Sequence, residues 1–243
     1  MSRKLAVVSV PWGWGTQGKL MRHKLLPALI GVAFACVTHG PAFASNNKAM
    51  DADIHSVELQ WEHIKFDEDG SPNQFAHIDA LANFTATLVE KYPGRPEPLI
   101  WEGIVTSEEA GMANTLSAMG YAKKAKSILE EAYQENPAAL DAGAPTSLGV
   151  LYYRVPGFPF GFGDNDKARQ LLAQAVSLAP NGMDANYFYA DFLMGQHEYA
   201  SAFKILKHAL ALPPQTKRPL WDKNRRAVIK ELMAKAQAQA ASN

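Results

Sequence analysis

Catalysis at neutral pH usually relies on a histidine, a cysteine or a matched pair of acids held at close spacing. Beyond residue 44 the sequence offers His55, His63, His77, His197 and His208, and no cysteine. None of these histidines falls in a His-Glu-x-x-His pattern, and neither a Gly-x-Ser-x-Gly elbow nor a phosphate-cradling glycine loop occurs. Gly161-x-Gly163 precedes a helical stretch, but Asp164 in the capping position would repel an anion there and reads as an N-cap. Asp67-Glu68-Asp69-Gly70 opens like a calcium loop, yet Ala76 stands where the closing acid belongs, so the segment reads as a solvated turn. The expectation is a protein that is not an enzyme, with no catalytic residue, no metal and no cofactor. Recognition chemistry is better represented. In LGVLYYRVPGFPFGFGDNDKA, from Leu148 to Ala168, Phe158, Phe160 and Phe162 alternate with glycines and prolines that cannot continue a helix.

The surroundings bound what such a segment can serve. Met21-Arg22-His23-Lys24 is a basic start, Leu25 to Ala35 is an apolar run, and Ala42-Phe43-Ala44 is a small-x-small cleavage site. That is the pattern of a secretory signal peptide, with translation expected to begin at Met21 and cleavage after Ala44. The run is shorter than the roughly 20 residues of a membrane-spanning helix. Cys36 is the only cysteine and leaves with the signal; the alternative is a lipoprotein anchored through it. The expected location is periplasmic or secreted. From Ser45 onward 19 basic residues face 24 acidic ones, a net of −5, which argues against a nucleic-acid partner. The charge is also uneven. Residues 204–243 carry +7, while 45–203 carry −12.

The chain after the signal reads as helices throughout. Ile54, Val57, Trp61 and Ile64 mark one apolar face within 51–66, and DEDGSPN turns the chain. A second helix spans 74–92 and is stopped by KYPGRPEP. Further helices fall at 99–112, 121–134, 164–178, 184–194, 198–212 and from 221 to about 241, with no convincing strand. Three of them share one layout. Ala125, Leu129, Ala132 and Pro137 recur as Ala168, Leu172, Ala175 and Pro180, and again as Ala202, Leu206, Ala209 and Pro214. Each preceding helix should then carry a small residue where the pair crosses. Ala190 lies 12 residues before Ala202, and Gly149 lies 19 before Ala168, the central connection having grown by seven.

With Leu148-Gly149-x-x-Tyr152, these offsets resemble the tetratricopeptide repeat (TPR) family over about residues 95–214. More narrowly, an exported solenoid with long loops and LYYRVPGFPFGFGD is similar to the periplasmic TPR accessory proteins associated with TRAP-type transporters. The resemblance implies an all-α, TPR-like α-solenoid of antiparallel helix pairs with extra helices at both ends. Its expected division is an extension and signal at 1–44, a helical pair at 45–94, three repeats with expanded loops at 95–214, and a basic capping helix at 215–243.

Stacked repeats leave a concave groove. Projected from Gly149 and Ala190, its candidate binding residues are Tyr153, Arg154, Tyr187 and Asp191, with Phe158 and Phe162 from the loop. Arg154 supplies a planar cationic fork and the tyrosines rigid amphipathic area. The expected function is non-catalytic binding of a protein or peptide partner in the groove, as part of a transport or envelope complex. The alternative is a carrier or transporter accessory for a small anionic ligand, with loop 155–163 as its lid. The basic last helix offers a peripheral contact with an acidic partner or an anionic lipid surface.

Overall fold

The computed structural model describes residues 41–242, with side chains over 47–241. Met21, the apolar run and Cys36 lie outside the described residues. The chain from 41 onward forms α1 (Pro41–Glu62), which widens into a π-helical turn at His63–Asp67, then α2 (Gln74–Lys91), α3 (Pro96–Met112) and α4 (Thr115–Glu135). It continues with α5 (Ala139–Arg154), α6 (Asn165–Leu178), α7 (Met183–Gly195), α8 (Tyr199–Ala211) and α9 (Pro219–Ser242). No strand forms among the described residues; only Gly157 and Gly163 pair as an isolated bridge.

Helix ends follow the local chemistry. Asp164 accepts from the backbone N–H of Asp166 and Lys167, and so caps α6 as its position predicts. Asn114 does the same for α4 through Leu116 and Ser117, which starts that helix six residues before the apolar pattern does. The start of α5 is less regular. Leu140, Asp141 and Ala142 adopt left-handed backbone with φ of 47°, 53° and 61°, and the right-handed helix follows them.

Helices pair in sequence as α1/α2, α3/α4, α5/α6 and α7/α8, and each odd-numbered helix also packs on the next odd-numbered one, from α1 to α9. The odd helices therefore form an inner layer and the even ones an outer layer. The repeat residues hold the pairs together: Ala125, Leu129, Ala132, Ala168, Leu172, Ala175, Ala202, Leu206 and Ala209 are all 0% exposed. At two of these pairs the small residue of the inner helix sits against the leucine of its partner. A Cβ on Gly149 would stand 2.6 Å from Leu172 Cγ, and one on Gly103 would overlap Leu129 Cγ. The shared offsets in the sequence thus mark closely related crossings at these two pairs.

The last helix does more than cap the array. Trp221, in its first turn, donates its backbone N–H to Glu62 Oε2 at 3.1 Å, and Arg218 Nε reaches Glu62 Oε1 at 2.5 Å. Glu62 ends α1, so the inner layer curls far enough for its fifth helix to touch its first. No helix among the described residues is long and apolar enough to cross a membrane.

Candidate functional site

The inner layer borders a cavity of about 1370 Å³ with walls drawn from α1, α3, α5, α7 and α9 and, from the outer layer, Ala118, Met119 and Ala122 of α4. Two clusters dominate its lining. At the α1/α3/α9 end, Trp61 and Trp101 meet edge to face with ring centres 5.9 Å apart. The Arg218 guanidinium lies 5.6 Å from the Trp101 ring centre and 4.9 Å from that of Trp221, with Glu58 and Glu62 as its counter-ions. Glu62 is 1% exposed, a charge that would be costly here without its guanidinium and backbone partners.

At the α5/α7/α9 end, Arg154 forms an ion pair with Asp191, and Arg225 pairs with Asp184 at 2.6 Å. Arg225 also lies over Tyr187 at 4.4 Å and Phe188 at 5.0 Å, whose rings meet at 4.9 Å. Burial pushes the Asp191 carboxyl above the ordinary aspartate value, against the pull of Arg154. Burial likewise raises the Tyr187 phenol, opposed by Arg225. Lys65 pairs with Glu108 at 2.5 Å on the same lining.

Three of the six residues expected at the site line this cavity together: Arg154, Tyr187 and Asp191. Tyr153, Phe158 and Phe162 are not on its wall. Tyr153 packs edge to face on Phe192 at 5.3 Å, and its hydroxyl occupies the space that a Cβ on Gly195 would take. Phe162 packs on Tyr152 at 5.6 Å, with the Lys126 ammonium over both rings. Phe158 is 94% exposed.

The expectation of a lid is corrected by this placement. Only Val155 and Pro156 of the loop reach the cavity wall. The rest is folded on itself by Gly163 N–H donating to Pro156 O at 2.8 Å and Phe160 N–H donating to Gly157 O at 3.1 Å. Cβ atoms on Gly161 or Gly163 would overlap backbone, so the glycines let the loop close on its own stem instead of on the groove. The element that covers the groove is α9. The cation on which an anionic ligand depended, Arg154, is already matched by Asp191.

Sequence reasoning passed over Trp61, Trp101, Trp221, Glu62 and Arg218. Trp61 was visible as a core position of α1, but nothing in a single sequence places Glu62 beside residues 156 and 159 positions away. The available signal was compositional: from Ser45 onward the chain has three tryptophans, and all three line one cavity.

Comparisons with known proteins agree with this architecture. The family model for the tetratricopeptide repeat matches residues 160–236. Seven chains of solved structures match. Among them, a thermophilic TPR protein of Thermus thermophilus superposes with a TM-score of 0.52 at 17% identity, covering 79% of this chain and 96% of its own. No curated protein sequence matches the chain. The matched segment reaches from the central repeat into α9, consistent with α9 continuing the inner layer. Over residues 160–236 the chain matches the tetratricopeptide repeat model, and it folds as an all-α, TPR-like solenoid.

Proposed function

We propose that the chain is an exported, non-catalytic interaction module that seats a segment of a partner protein in the concave groove. The observation that carries this reading is the cavity itself: it runs along all five inner helices and presents aromatic rings beside charges that are mostly paired within the protein. TPR folds generally serve as protein-interaction scaffolds. The basic start at Met21, the apolar run and Ala42-Phe43-Ala44 support export to the periplasm, and the likeness to TRAP-associated accessory proteins suggests a transport or envelope complex as the setting.

Two measurements test this. The intact mass of the exported protein should correspond to a start at Ser45; a lipid-modified start at Cys36 would replace export in soluble form with membrane anchoring. A tagged chain should co-purify a defined partner from the periplasm, and Arg154→Ala/Asp191→Ala should lose it while keeping its helical circular dichroism. Removing both members avoids stranding a buried charge. A partner that the double variant retains would place recognition outside the groove.

The closure by α9 favours a second reading, a carrier for a small ligand, because an enclosed space suits a small molecule better than an open trough. Thermal-shift screening with small carboxylates decides between them. Stabilisation by such a compound, with no protein partner recovered, selects the carrier.

A further inference from the structure

Single apolar side chains standing in water are ordinary on a protein surface, but several gathered at one place are not. Among the described residues Leu116 and Phe158 are each 94% exposed and Phe160 is 72% exposed, while no other large apolar side chain exceeds 44%. These three share one corner of the molecule. A Cβ on Gly161 would stand 2.8 Å from Met119 Cε, so the loop lies against α4, and Leu116 is one turn before Met119 on the same face of that helix. None of Leu116 and residues 157–160 lines the groove.

The tip of the loop is held in shape from within. Phe160 and Gly161 donate their N–H groups to Gly157 O at 3.1 Å, and Asp164 donates its own to Tyr152 O at 2.9 Å. Beneath the tip, Phe162 packs on Tyr152. A backbone that is already fixed loses little freedom when its side chains dock on something else.

The charge around this corner differs from the rest of the body. Residues 115–126 carry +3 with no acid, whereas 45–203 as a whole carry −12. Lys123 lies four residues beyond Met119, on the helix face that meets the loop, and Lys126 three further on holds its ammonium 5.6 Å from the Phe162 ring centre. Lys126 pairs with Glu130 and Lys124 with Glu102, which leaves Lys123, and Lys167 on α6, exposed without a counter-ion among the described residues. Asp164 and Asp166 stand at the base of the loop, where the N-terminus of α6 offsets their charge. Protruding apolar side chains beside unpaired lysines match a bilayer interface, where rings and aliphatic groups enter the headgroup boundary and cations meet phosphate. A twofold contact with a second copy would instead bring the same lysines together.

We propose that this corner is a membrane-docking tip: Phe158, Phe160 and Leu116 enter the surface of an anionic bilayer, and Lys123 and Lys167 rest on its headgroups. The contact is peripheral and reversible, and it is independent of what the groove holds. It also differs from a contact through α9, where Arg225, Arg226 and Lys235 are engaged with acids of the protein itself.

The test is co-sedimentation of the exported protein with vesicles of phosphatidylcholine and phosphatidylglycerol in equal parts, and of phosphatidylcholine alone. Parent and variants share one N-terminus, so its contribution is common to all. Leu116→Ser/Phe158→Ser, at two side chains almost wholly in water, should keep the fold and weaken binding to the mixed vesicles at least tenfold. Lys123→Gln should weaken it about fivefold, and Lys223→Gln/Lys230→Gln on α9 should leave it unchanged. A second readout places a tryptophan at the tip: the added fluorescence of Phe158→Trp should be quenched by vesicles containing brominated lipid. Equal binding by parent and Leu116→Ser/Phe158→Ser, loss confined to the α9 variant, or an unquenched Phe158→Trp overturns the proposal. So does a parent that sediments as a dimer without binding vesicles and is made monomeric by Leu116→Ser/Phe158→Ser, since the tip would then serve a second copy.

Discussion

Two contacts between helices show how differently this chain holds itself together. At the Gly149–Leu172 crossing, α5 and α6 meet by shape alone, and the same arrangement recurs at Gly103–Leu129. At the Glu62–Arg218 contact, α1 and α9 meet by charge, with a nearly inaccessible carboxylate between a guanidinium and a backbone N–H. The first kind is local and repeated. The second occurs across the full array and joins its two ends. The repeats therefore set the curvature, and a polar contact fixes where that curvature stops.

The largest expected effect separates the two kinds. Glu62→Ala leaves Arg218 with only the more distant Glu58 and strips the Trp221 N–H of its acceptor, so chemical denaturation should show a loss of about 3 kcal/mol. A loss below about 1 kcal/mol would mean that the ends of the array are held by the surrounding aromatic packing. Gly149→Ala should come next. Its new Cβ meets Leu172 at 2.6 Å, an overpacking worth about 1–3 kcal/mol, whereas Gly120→Ala, on the open face of α4, should stabilise by up to about 1 kcal/mol through helix propensity. Equal effects at both glycines would dismiss the crossing as a close-packed joint.

A pH series sharpens the comparison at a third place, between α2, α3 and α4. Burial pushes the Glu109 carboxyl up to about 7, opposed by Lys124 and reinforced by Asp79. A raised acid pKa means that the folded state holds the proton more tightly than the unfolded one, so stability should fall as pH rises from about 4.5 to about 7 and then level off. Glu109→Gln should remove that slope and be more stable than the parent at pH 8 by about 1–2 kcal/mol. A parent and variant with parallel pH profiles would show that Glu109 is not the group responsible. The smallest change is expected at the loop: Phe158→Ser, at a side chain almost wholly in water, should alter stability by less than about 0.5 kcal/mol. A larger loss in a melting experiment would reveal packing that its exposure does not suggest.

Much of the fold was legible in the chain because each repeat records its own crossing. Ala168, Leu172 and Ala175 need only the neighbouring helix to be buried, and their spacing from Gly149 is local information. Asp164 was equally readable, since a cap acts on residues two and three positions away. The candidate site was legible only in part. Projecting the repeat brought Arg154, Tyr187 and Asp191 to the wall but not Tyr153, which packs on Phe192, and Phe158 and Phe162 missed it because glycines that look permissive in a sequence proved to be sites of tight backbone contact. The tryptophan cluster depends on accumulated curvature over four helix pairs. A small error in the angle of each crossing would move Trp221 far from Glu62, and no single stretch of sequence carries that sum.

The contact between Glu62 and Trp221 also bears on how the molecule folds. In an open repeat array each unit touches only its neighbours, so one end can fray while the other persists, and unfolding spreads over a range of conditions. Here the first and fifth inner helices share a buried ion pair, and neither terminal pair can detach without breaking it. The ends should therefore melt together with the middle, in a single sharp transition. Because the closing residues are 156 and 159 positions apart, that cooperativity should come with slow folding, the last step being the meeting of chain segments that were made far apart.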